Sequence, residues 1–137
     1  MNSNENDLMT EWHLLQNQFD SYEKHSLYIK LVSIIVLLSA EISALLGISS
    51  VLILLVLWGQ DAIWKTFQSR IEPRLFKIER SIATDCSENA CQFNTDYNQL
   101  SLGGIALIIE YIRQSIRPTI AFPHVVLIII SLVQYLN

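Results

Sequence analysis

The sequence predicts an all-α membrane protein with three transmembrane helices, an N-terminal hairpin plus a C-terminal span, carrying cytoplasmic amphipathic helices. Three observations predict it. Residues 31–58 form a run whose only ionisable member is Glu41. Residues 119–137 carry no formal charge when His124 is neutral. All nine Lys and Arg fall outside both runs. Apolar runs of about eighteen residues or more read as membrane-crossing helices, because in lipid a helix satisfies its own backbone polar groups. A hydrophobic fraction of 51% and a mean hydropathy of +0.34 agree with that class.

The first run reads as two helices. A straight helix over 31–58 would be roughly 42 Å long, well beyond a hydrocarbon core of about 30 Å. Its flanking charges decide the question. Lys24 and Lys30 precede the run, Lys65, Arg70, Arg74, Lys77 and Arg80 follow it, and Arg113 and Arg117 precede the last run. A turn near 46–50, around Gly47, puts all three groups on one side, which the positive-inside rule makes the cytoplasm. The division is then 1–25 as an N-terminal cytoplasmic helix, 26–64 as the hairpin, 65–117 as a cytoplasmic segment and 118–137 as the last span. Trp58 and Trp64 fall where aromatic belts form. Pro118 suits a first helical turn, and Pro123 is expected to kink the start of the span.

Leu8, Trp12, Leu15, Phe19 and Tyr22 repeat at spacings of four and three, an apolar stripe along one helix face. Asp7 is placed to cap that helix. The stripe has two readings: packing on the protein's own second amphipathic helix, or a surface for a partner. Trp64, Phe67, Ile71, Leu75, Ile78 and Ile82 trace the second such face, with Pro73 expected to kink it or to start a fresh helix. Opposite them, Arg70, Arg74 and Lys77 mix with Gln68, Glu72 and Glu79, which reads as a solvated surface. A second reading sets Lys65, Arg70, Arg74, Lys77, Arg80, Arg113 and Arg117 against anionic lipid headgroups.

Residues 85–99 are polar and aperiodic, and read as a loop or disordered connector. Cys86 and Cys91 in it are expected as reduced thiols, and a lone C-x4-C is poor grounds for zinc. Residues 100–112, with Gly103, Gly104 and Glu110, read as an interfacial helix under the bilayer, with a fourth span over 100–116 as the alternative. Residues 1–7 are polar and acidic, unlike a signal peptide. No nucleotide, nucleophile or metal motif is present, so no enzyme and no cofactor are expected. The chain also lacks the basic stripe of a nucleic-acid binder.

Glu41 lies about 16 Å along the axis from Lys30, near mid-bilayer on this reading. Intramembrane carboxylates are expensive and face helices or water. Ser39, Ser43 and Gly47 repeat every four residues beside it, a spacing that allows close helix approach. Glu41 is therefore expected either at a helix interface or in an ion path. Asp61 is expected to cap the second span or to meet Lys65, and His124 to be a satisfied interfacial histidine.

The segment Trp58-Gly-Gln-Asp61-Ala62-Ile-Trp64, with Glu72-Pro-Arg74-Leu75-Phe76-Lys-Ile78-Glu79 after it and Ser115-Ile-Arg117-Pro118 before the last span, resembles a pattern in small bacterial inner-membrane proteins. In those proteins an Asp-Ala-aromatic signature ends the second span. The likeness covers part of the chain. The Asp-to-Glu spacing here is about one helical turn longer, and Phe122-Pro123-His124 replaces the aromatic ending. In architecture alone the chain also looks like two-span effector domains of bacterial antiphage systems. The resemblance implies a bacterial inner membrane and no activity. The expected role is an oligomeric interaction or scaffold module with a lipid-bilayer environment and a homo-oligomeric or membrane-protein partner. The rival is a pore-forming or ion-conducting effector with Glu41 in the path.

Overall fold

A computed structural model describes residues 3–43, 48–84 and 90–136. The described residues form five helices: α1 (Ser3–Ile42), α2 (Ile48–Thr84), α3 (Phe93–Leu100), α4 (Gly104–Ser115) and α5 (Pro118–Leu136). Helices α1, α2 and α5 are long and apolar enough to cross a membrane. The reversal between α1 and α2, Gly47 and Cys86 lie outside the described residues.

Helices α1 and α2, of 40 and 37 residues, are roughly 60 and 55 Å long. Each runs unbroken through an apolar half and a polar half. They lie antiparallel in a single register: Trp12 meets Glu79, Phe19 meets Gln68 and Ser26 meets Asp61. Helix α5 runs antiparallel to α2, with Ser131 on Ser50 and His124 on Asp61. Helix α2 touches each of the other four and is the spine of the molecule.

The two ends of this spine are built on opposite principles. At the head end, Leu8 and Leu15 of α1 meet Ile71, Leu75 and Ile78 of α2 in an apolar core, with Trp12, Phe19, Tyr22 and Ile82 around it. The N-terminal stripe is thus spent against the protein's own α2. At the other end the inward residues include Ser26, Ser33, Ser50, Asp61, His124 and Ser131, each no more than 3% exposed. Leu31, Ile35, Leu38, Leu52, Val56 and Ile129 there point outward.

Four expectations are corrected. Helix α2 continues through Pro73 without a fresh start. Ile71 and Leu75, on either side of the proline, share one apolar core, whose packing outweighs a cost of about 3 kcal/mol. Residues 93–100 of the supposed loop are helical, because Asp96 is drawn to Arg74 and Lys77, and Phe93 packs on the head core. Asp7 lies inside α1 rather than at its cap. Glu41 stands one residue before the end of α1, and the residue it meets, Gln134, lies two residues before the end of α5. It therefore belongs to the tips of the apolar helices, not to their middle.

Helix α4 starts from Gly104, whose φ of +58° only glycine adopts freely. Its polarity is inverted. Glu110 and Gln114 turn toward α2, while Ile105, Ile108, Ile109 and Ile112 are 55–77% exposed.

Candidate functional site: a buried polar junction of three helices

Asp61 is fully buried where α1, α2 and α5 meet. Its Oδ1 accepts the hydroxyl of Ser26. Its Oδ2 lies 3.3 Å from Nε2 of His124 and 3.6 Å from Nζ of Lys30. Lys30 also donates to Ser26 Oγ at 3.1 Å. A charged carboxylate out of water needs such a set of partners, and a cation supplied by Lys30 balances its charge. The register explains the assembly. Ser26 and Lys30 lie one turn apart on α1, and His124 lies one turn past Ile120, which is itself fully buried.

His124 is also fully buried, and its ring stacks on Trp58 at 6.4 Å with 14° between planes. A carboxylate only accepts, so Nε2 of His124 carries the hydrogen directed at Asp61. Nδ1 is then left without a protein partner. Trp58 Nε1 donates to the carbonyl of Ser115, tying α2 to the end of α4.

Two further polar pairs follow toward the tips of the helices. The hydroxyls of Ser50 and Ser131 are 3.0 Å apart and buried. Gln134 donates to an exposed Glu41. Leu54, fully buried, separates Asp61 from Ser50 on the inner face of α2. Ser39 and Ser43 line a groove of about 360 Å³ with Ala40, Ser49, Ser50 and Ile53.

At the head end a second ionic cluster ties α1 to α2. Arg74, 2% exposed, makes a forked contact with Glu11 at 3.0 and 2.9 Å and reaches Asp96 at 3.2 Å. Glu11 also accepts the backbone N–H of Cys91 at 2.7 Å; Cys91 adopts a φ of +61° and is a free thiol. Arg70 pairs with Glu110 at 2.8 Å and lies over the Tyr97 ring. Burial works against its charge, but Glu110 and Tyr97 outweigh that and hold the guanidinium above its ordinary range.

These contacts correct two expectations about charge. Arg70 and Arg74 are buried ion-pair partners and not part of a membrane-facing or solvated surface, since carboxylates from α1, α3 and α4 converge on them. Lys77, Arg80, Arg113 and Arg117 remain exposed, Lys77 with Asp96 at 3.7 Å, and Lys65 meets Glu23 and Gln68. Asp61 neither caps a helix nor pairs with Lys65. Its partners come from α1 and α5, 35 and 63 residues away. The sequence signal that could have found them is Ser26 with Lys30 one turn on, at the edge of an apolar run, facing the sole carboxylate of the second span. Among the described residues no group of three or more His, Cys, Asp or Glu is placed to hold a metal ion.

No protein-family model, curated protein or solved structure matches the chain.

Proposed function

We propose that this is a three-span protein of the bacterial inner membrane, with its N-terminus and head in the cytoplasm, that acts as an oligomeric interaction module. The observation that carries this reading is the groove between α1 and α2 at the tips of the apolar helices. Its walls are the small side chains Ser39, Ala40, Ser43 and Ser49, which allow a helix backbone to approach closely. Glu41 lies exposed on the same turn of α1. In lipid, such a groove and such a carboxylate favour a covering helix, and a second copy of this chain supplies one. The clustering of all basic residues toward the head supports the orientation.

The test is cross-linking in liposomes. A Ser43→Cys variant in a background lacking the native cysteines should form a covalent dimer, and Ala40→Leu, which fills the groove, should suppress it. A monomer at every protein-to-lipid ratio would sink the reading. For orientation, exposed Cys91 should resist an impermeant thiol reagent in whole cells.

A second reading, an ion-conducting effector, is favoured by the succession Asp61–His124, Ser50–Ser131 and Glu41–Gln134 along the inner face of α5. Ion flux from liposomes that is lost in Glu41→Gln at equal incorporation would select it over the scaffold.

A further inference from the structure

We propose that the pocket between α1 and α2 at the foot of the head binds one phospholipid headgroup bearing a primary ammonium, of the phosphoethanolamine type. Its lysines take the phosphate and its carboxylates take the ammonium. The inference rests on the three-span membrane reading and not on the oligomeric one, since a single chain supplies the whole pocket.

The pocket, of about 460 Å³, is lined by α1 between Asp20 and Lys30 and by Lys65 of α2. That volume is in the range of small-ligand sites, about 300–1,000 Å³. It lies where the exterior of α1 changes character. Glu23 and Lys24 are exposed on the head side, and Leu31, Val32, Ile34 and Ile35 are exposed beyond Lys30. Exposed Tyr28, and Trp64 stacked on His25 at 4.9 Å, lie at the same level. In a bilayer, aromatic rings gather at the depth of the headgroups, and basic pockets between helices there take headgroup phosphates.

The chemistry comes from donors that the fold leaves unspent. A lysine ammonium has three N–H groups and accepts nothing. Lys65 donates to Gln68 at 2.8 Å, and Glu23 stands 3.8 Å from it, beyond hydrogen-bond length. Lys30 donates to Ser26 at 3.1 Å and stands 3.6 Å from Asp61. Lys24 has no partner among the described residues. A phosphate diester brings one negative charge and two oxygens free to accept, and charge-assisted bonds of this kind are the strong ones. The carboxylates then choose among headgroups. Asp20 and Glu23 line the same pocket on the head side of Leu27 and Lys30. With Asp61 balancing Lys30, three cations meet three carboxylates, so the pocket suits a headgroup that carries both signs. A primary ammonium donates N–H bonds to Asp20 and Glu23, whereas a quaternary one has no N–H to give. The order also fits. In a phospholipid the phosphate is nearer the acyl chains than the ammonium is, and here Lys30 is nearer the aliphatic exterior than Glu23 and Asp20 are.

The test titrates short-chain phospholipids with ethanolamine, choline or glycerol headgroups into the full chain in detergent micelles, counting bound lipid by native mass spectrometry. The unsubstituted chain should retain one ethanolamine lipid at roughly tenfold lower concentration than either other lipid. Lys24→Gln with Lys65→Gln should weaken that retention about tenfold or more. Asp20→Asn with Glu23→Gln should erase the preference over choline and leave the choline lipid bound as before. Lys30 is kept in every variant because it also balances Asp61. Equal retention of the three lipids by the unsubstituted chain, a preference for the glycerol lipid, or retention unchanged in the lysine variant overturns the site. Glycerophosphoethanolamine and inorganic phosphate, which lack acyl chains, separate the sources. Both should displace the lipid only in large excess, and displacement at equal concentration would make this a site for a soluble phosphate and overturn the lipid. Liposome flotation tests the premise separately. A chain left behind overturns the membrane reading, and a chain that floats without selecting among headgroups overturns the pocket alone.

Discussion

The two ionic clusters of this molecule use the same chemistry in opposite settings. At the head, Arg74 joins Glu11 and Asp96 inside a shell of leucine and isoleucine, and charged side chains such as Glu72, Glu79 and Arg80 face out. At the other end, Asp61 joins Ser26, Lys30 and His124, and the shell that faces out is itself aliphatic. The difference lies in what each half turns outward, charge at the head and aliphatic side chains at the other end. In water an apolar core is the driving force and buried ions are fitted into it. In lipid the outside is as apolar as any core, so helices are held by close packing and polar contacts between them. Helix α4 joins the two designs, lying beside the polar half of α2 with its isoleucines outward.

The comparison can be broken most severely at Arg74. Arg74→Ala leaves Glu11 and Asp96 without their shared cation and should cost about 3–5 kcal/mol, read as a loss of the head's resistance to denaturant in mixed micelles. A cost below about 1 kcal/mol would mean that water reaches this cluster. Ile78→Ala, at a fully buried head position, should cost about 2–4 kcal/mol through the cavity it leaves. The same truncation at outward-facing Ile129 should cost far less, and equal losses would erase the contrast between the two ends. Asp61→Asn keeps one acceptor but removes the charge that balances Lys30. A loss of about 1–3 kcal/mol is expected by steric trapping in bicelles, and an unchanged value would show that Lys30 has turned to solvent. The smallest effect belongs to Ser131→Ala, about 0.6 kcal/mol, the usual size of an interhelical hydrogen bond in a bilayer.

Much of the architecture was legible because it rests on local periodicity. The stripes Leu8 to Tyr22 and Trp64 to Ile82, and the apolar runs around them, follow from spacing within one helix. The ionic partnerships were not legible, because they depend on register between helices. Arg74 reads as solvated when only its own helix is seen, and its partners Glu11 and Asp96 lie 63 and 22 residues away. Asp61 was expected to cap its own span or to meet Lys65 one turn on, whereas its partners Ser26 and His124 lie on α1 and α5. The helix at 93–100 was misjudged, and a fresh helix at Pro73 was wrongly offered beside a kink, for a related reason. Local propensity argued against helix at both, and tertiary packing overrode it.

One consequence follows from the unbroken course of α1. From Ser26 to Glu5 it extends as a stiff arm of roughly 32 Å beyond the junction, bound along its length to α2. In a bilayer, the angle at which the apolar half leans is therefore also the angle of the head. Helices change their lean by tens of degrees to suit membrane thickness. A lean of roughly 10° would swing the far end of such an arm sideways by about 5–6 Å, the width of a side-chain layer. Placed in a bilayer, the molecule would have the mechanics of a lever, its far end pointing wherever the lean of the apolar half directs it.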